Sequence, residues 1–246
     1  KDVDRNLRKI RSNFEELLQD KKLIQDDSAY YLYEQILPNK TSFRGLMGLV
    51  SVDDFWDGKI KKHESTITER RMKMAHYLEK VGVQAEPVLL TYHSNSKVEL
   101  LMNHEQKSVP IINYTDDKGV RHKIWKIDNR LKLQQFKEVL DPIDSFYIAD
   151  GHHRIGSVAE YAKKQREKYK RSHGTEHYNF VYSFIVSNQS IKINDYNRLL
   201  KDLNGLTEEE FLNKLREDFQ IHDKGEAPYF PSQKFHISMY LGGKFY

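Results

Sequence analysis

Ser145-Phe146-Tyr147-Ile148-Ala149-Asp150-Gly151-His152-His153-Arg154-Ile155 is the stretch whose reading decides the fold. Its first half is short, apolar and aromatic, as a buried strand is. Its second half opens a run with apolar residues at Ile155, Val158, Ala159 and Ala162, the spacing of one helix face. Gly151 stands at the joint. A strand that turns through glycine into a helix aims free backbone N–H groups and a positive dipole end at one point, which suits an anion. Glycine also lets a ligand approach the backbone closely. Two imidazoles and a guanidinium crowd this point beside the Asp150 carboxylate. Cations oppose the dipole at a helix start, and an anionic ligand removes that conflict. The box from Asp150 to Arg154 therefore reads as a phosphate site with an acid/base group or a metal carboxylate beside it.

Outward from the box, Val3, Leu7, Ile10, Phe14, Leu17 and Leu18 step by three and four, which predicts an amphipathic helix over 3–19. Tyr30 to Ile36 reads as a strand, and so does Ser42 to Val52 with Gly45 and Gly48 inside it. Thr66-Ile67-Thr68-Glu69 has capping-box spacing and opens a helix to about Val81, ended by Gly82. Pro87 to Tyr92 is a buried type of strand, and residues 96–105 are a short helix. Val109 to Tyr114 and Val120 to Ile127 flank an Asp117-Lys118-Gly119 turn as a hairpin. A helix at about 129–139 leads to the box strand. After the box come a helix over about 152–171, a strand from Tyr178 to Val186, a helix from Thr207 to about Phe219 and a strand from Lys234 to Leu241. Helices and strands mix without strict alternation, so the class is α+β, a mixed sheet with packed helices.

At 246 residues the chain is long enough for one sizeable core or two small ones. It has no cysteine, which excludes disulfides, thiolate nucleophiles and Cys-ligated zinc and fits a reducing, cytoplasmic setting. No apolar run has the length of a membrane span. A net charge of +4 is too mild to argue for nucleic acid by itself. The chain ends just after Gly242-Gly243 in a strand-like context, so it is expected to be a fragment of a longer protein.

Two further constellations carry chemistry. Lys59-Ile60-Lys61-Lys62-His63-Glu64-Ser65-Thr66 sets a His-Glu pair ahead of a helix. It lacks the second histidine of a zinc-protease motif. Glu64 reads either as a solvated loop carboxylate or as a group that takes a proton from a substrate hydroxyl. Asp195-Tyr196-Asn197-Arg198 offers an arginine fork to a carboxylate or phosphate, or an ordinary loop with a structural arginine. The basic run from Lys163 to Arg171 reads as a solvated helix face. Asp150, His152 and His153 could hold a metal, and Mg²⁺ carried partly by a phosphate ligand suits Asp150 better than an all-protein cage.

The box, with Gly45 to Val52, Ile60 to Thr66, Pro87 to Tyr92, Trp125-Lys126-Ile127 and Asp195 to Leu200, resembles the domain-of-unknown-function family numbered one thousand and fifteen. That family sits in the superfamily of the ParB N-terminal domain, sulfiredoxin and the free serine kinases. The resemblance implies a single family domain over 1–246 that lacks N-terminal and C-terminal parts. It also implies a ParB/sulfiredoxin-like nucleotide-binding core at about 42–186. Sulfiredoxin chemistry needs a cysteine beside the box, and this chain has none.

Phosphoryl transfer between a nucleotide, ADP or ATP, and the hydroxyl of a small amino acid such as free serine follows by analogy with the kinase branch. The reverse reaction, dephosphorylation of phosphoserine, uses the same groups. On this reading Gly151, His152, His153 and Arg154 hold phosphates, and Asp150 orients Mg²⁺ or a catalytic group. Glu64 is the base, His152 shares in catalysis, and His63, Asn197 and Arg198 contact the amino acid. The rival reading is a ParB-like nucleotide-binding module without small-molecule catalysis.

Overall fold

Among the residues described by the computed structural model, 2–170 and 173–246, an eight-stranded sheet frames the first of two compact units, Lys1–Lys192 and Ile193–Tyr246. Its strands are β1 (Tyr30–Ile36), β2 (Ser42–Ser51), β3 (Ile60–Lys61), β4 (Val88–Tyr92), β5 (Ile112–Thr115), β6 (Arg121–Ile127), β7 (Phe146–Asp150) and β8 (Phe180–Ser187). They lie in the order β3-β7-β4-β8-β2-β1-β6-β5. The β3/β7 and β4/β8 pairs are parallel, and the rest of the ladder is antiparallel. The class is therefore α+β with a mixed sheet.

Alternation sets the two faces of the sheet. Leu32, Leu46, Leu90, Trp125, Ile148 and Ile185 are buried on one face, in one apolar cluster with helix residues. Burying a side chain of this size stabilises by about 1.5–3 kcal/mol, so this face holds the sheet to its helices. The central helix α6 (His152–Lys168) contributes Ile155, Val158, Ala159 and Ala162, the face read from the sequence. Helix α3 (Thr68–Val81) packs beside it. Gly156 allows that approach, because a Cβ there would stand 2.8 Å from Cδ of Arg71. On the opposite face Gly45 leaves room for Tyr33 and Phe184, whose rings meet at 5.6 Å. A Cβ on Gly45 would lie 2.5 Å from the Ile185 carbonyl oxygen.

The remaining helices of this unit are α1 (Val3–Gln19), α2 (Val52–Trp56), α4 (Ser96–Glu105) and α5 (Arg130–Leu140). Helix α2 is the five-residue turn that the strand reading of 42–52 runs into; the Ser51 side chain caps it by accepting from the Asp53 N–H. The Thr66 capping box does not form. Helix α3 starts at Thr68, with Ile67 at the cap position and no side-chain cap. Thr66 instead lies beside α6, its Oγ1 3.9 Å from where a Gly156 Cβ would be. Gly82 ends α3 at φ +79°, as its position predicts.

Unit 193–246 carries α7 (Glu208–Leu215), closed by a full capping box between Thr207 and Glu210. Its hairpin pairs β9 (Tyr240–Leu241) with β10 (Lys244–Phe245) across Gly242-Gly243. The expected strand from Lys234 is regular only at its last two residues, and the helix expected to reach Phe219 ends at Leu215. Helix α6 ends at Lys168, short of the expected 171; Arg171, the end of the basic run, lies outside the described residues. No described helix is long and apolar enough to cross a membrane.

Candidate functional site

Strand β7 ends on Asp150, Gly151 takes φ +97°, and α6 begins at His152. The Ile155 N–H already bonds the Gly151 carbonyl at 3.0 Å. The N–H groups of His152, His153 and Arg154 precede the first intrahelical bond, and Gly151 has no side chain to cap them. Three donors and the positive end of a 17-residue helix thus converge where an anion can approach.

The histidines are placed for more than packing. His152 is only 6% exposed, yet its Nε2 is buried without a hydrogen-bond partner, as is Nδ1 of His153. A buried polar atom left this way costs about 1–3 kcal/mol, which a ligand that pairs with it can recover. His63 stacks edge-on against the His152 ring at 4.4 Å between centroids. The Glu64 carboxylate reaches to 3.6 Å from His152 Nδ1, too long for a hydrogen bond. Burial pushes the His152 imidazole below its ordinary value, and His63 adds to this; together they outweigh Glu64 and Asp150, which act the other way. A neutral imidazole can pass a proton, and it sits at a helix N-terminus without charge conflict.

Arg154 answers the other half of that conflict. Its guanidinium donates to the Asp150 carboxylate one helical turn back and to the Pro87 carbonyl. Glu86 lies 3.6 Å away. The guanidinium also folds over the box, with Nε 3.0 Å from the position of a Gly151 Cβ. Beyond it, α3, α6, Val88 of β4 and the 83–86 loop line a half-open cavity of about 180 Å³.

The sheet brings these parts together. The parallel pair Ile60↔Phe146 and Lys61↔Tyr147 sets the His63–Glu64 segment beside the strand that delivers Asp150. His63, Glu64, Asp150, Gly151, His152, His153 and Arg154 thus form one constellation. Asn197 and Arg198 belong to unit 193–246, in an exposed irregular stretch. There Arg198 donates to the Tyr196 carbonyl at 3.1 Å and lies 3.5 Å from that ring's centre. In the basic run, Arg166 forms a two-pronged bond to Asp53 at 2.8 and 3.1 Å, so it is a structural tie. Nothing in the sequence ties Glu86, the Pro87 carbonyl or the cavity to the box. Arg154 and Pro87 are 67 residues apart, and no spacing links them.

Among the described residues no group of three or more His, Asp or Glu side chains could hold a metal by itself. The exposed Asp150 carboxylate could supply one oxygen to a cation brought by phosphates.

A family model described as "Protein of unknown function (DUF1015)" matches residues 1–246, and the chain belongs to that family. No curated protein and no solved structure matches it.

Proposed function

We propose that this member of the DUF1015 family is a cytoplasmic, nucleotide-dependent phosphotransferase acting on the hydroxyl of a small amino acid, free serine first, through a ParB/sulfiredoxin-like nucleotide-binding core. One observation carries the reading: the open α6 N-terminus at Gly151 has two buried, unpartnered imidazole nitrogens and a carboxylate 3.6 Å from one of the rings. This combines an anion cradle with a group for proton transfer. Phosphate oxygens accept from the backbone N–H groups of His152, His153 and Arg154 and from the histidine side chains. Arg154 turns from Asp150 to the phosphates; Asp150 is the residue that would hold a magnesium ion, which would offset phosphate charge.

The serine hydroxyl oxygen attacks the terminal phosphorus. A new O–P bond forms as the bridging P–O bond breaks, and the departing nucleotide keeps that electron pair. Glu64 takes the hydroxyl proton and, as the exposed member of the pair, passes it to solvent. His63, at the edge of the His152 ring, is assigned to the amino acid. Little covalent chemistry is asked of the protein, since positioning and charge stabilisation supply most of the rate. The same contacts serve the reverse reaction on phosphoserine.

The test is calorimetric titration with ADP and with ATP, with and without serine, and assay of the mixtures for phosphoserine. Nucleotide binding with phosphoserine formation is the expected result. Binding without turnover would replace the enzyme by a nucleotide-gated module of the ParB type. No binding to either nucleotide would overturn both.

A further inference from the structure

Helix α6 presents two unlike sides at its start. His152 meets His63 and Glu64 on one side. Arg154, two residues on, points about 200° further round the helix. There the cavity of about 180 Å³ runs along α6 from Arg154 to Val158. Its walls are largely apolar, with Met74, Tyr77, Leu78, Val83 and Val88 facing Val158. Gln84 also borders it, but its carboxamide donates to the Phe180 carbonyl at 2.8 Å and accepts from the Tyr182 N–H at 2.9 Å. Arg154 and Glu86 supply the charged groups of the lining.

We propose that this cavity holds the base of the nucleotide whose phosphates occupy the Gly151–Arg154 box, an assignment that rests on the phosphotransferase reading above. Three observations select this occupant. The lining is apolar, which a zwitterionic amino acid does not need and a planar base gains from. The volume of about 180 Å³ exceeds the roughly 150 Å³ that takes up benzene in an engineered protein cavity. Arg154 borders both the cavity and the box, so one guanidinium can cover the base and reach the phosphates. The nucleotide then lies on the Arg154 side of α6 and the amino acid on the Glu64 side, with the transferring phosphoryl between them at the helix start.

The experiment fills the cavity and titrates two ligands into the full chain. Ala85 is exposed and lines the cavity, so Ala85→Trp plugs it from a position where folding is little affected. Val83→Trp plugs it from the wall, with its urea midpoint checked. Calorimetry is run with ADP and with inorganic pyrophosphate, which has no base. Both variants are expected to bind ADP at least about tenfold more weakly and pyrophosphate within about twofold of wild type. Unchanged ADP affinity in both variants, with pyrophosphate bound, would overturn the base assignment and leave the box standing. Equal loss of both ligands would also overturn it, since the damage would then lie in the box. If wild-type protein bound neither ligand, the phosphotransferase reading would fail and this assignment with it.

Discussion

The Glu64 carboxylate stands 3.6 Å from Nδ1 of His152, although 88 residues separate them in the chain. Replacing Glu64 by Gln keeps the shape and removes the charge. Turnover to phosphoserine is expected to fall by about a hundredfold or more, with ADP affinity within about twofold of wild type. A rate within a few-fold of wild type would make Glu64 a loop carboxylate and remove it from the mechanism.

The box should discriminate nucleotide affinity from turnover in the opposite sense. His153→Ala and Arg154→Ala each delete a group from the cradle, and both should weaken ADP binding by about tenfold. Calorimetry that returned the wild-type affinity for both would sink the cradle.

Gly151 is held at φ +97°, and a Cβ there would stand 3.0 Å from Nε of Arg154. Gly151→Ala is expected to cost about 1–2 kcal/mol of stability through backbone strain. Its pyrophosphate affinity should fall as well, because the methyl group and the displaced guanidinium occupy the anion's approach. Wild-type pyrophosphate affinity in a folded variant would place the anion away from this residue.

Burial holds His152 below its ordinary value of 6.5. As the pH falls through that value, the unfolded chain takes up the proton before the folded one does. Stability present at higher pH is therefore lost on acidification, down to the lowered folded value. Between about pH 7.5 and about pH 5.5 the urea midpoint of wild type should drop further than that of His152→Gln. Parallel curves would show that this imidazole does not couple to folding.

Gly45 tests the sheet away from the site. A Cβ there would come within 2.5 Å of both the Ile185 carbonyl oxygen and Cγ1 of Val186. A backbone oxygen in the ladder cannot swing aside, so Gly45→Ala should destabilise by about 2–3 kcal/mol. Urea denaturation decides it; a change below about half a kcal/mol would mean that the strands part easily at this point.

Local chemistry was legible in the sequence wherever it wrote the structure. The strand over 30–36, the helix over 3–19, the Gly82 stop and the strand–Gly151–helix joint all follow from period and from glycine's freedom. The Asp150–Arg154 ion pair is not read from the sequence, which assigns the guanidinium to phosphate, although the two residues stand only four apart. Three features failed for physical reasons. Helix α2 is too short to show a period. Thr66 has the residues of a cap but packs toward Gly156 instead. Residues 234–238 alternate as a strand does but lie outside the hairpin ladder, whose outermost backbone pair joins Met239 to Tyr246. The approach of Glu64 to His152, the Arg154–Pro87 bond and the cavity depend on sheet order, which brings distant segments together without leaving a mark in either one.

Strand β3 joins the sheet edge through two residue pairs, with the Phe146 amide bonded to the Lys59 carbonyl at 2.9 Å. An edge that short detaches more readily than the strands inboard of it. His63 and Glu64 follow this edge closely in the chain and would go with it, whereas Asp150 sits on β7, which is also paired to β4. On the proposed mechanism the chain would then alternate between a state that binds phosphate and one that can also move a proton. Deuterium uptake at the Phe146 amide would time the interval between them.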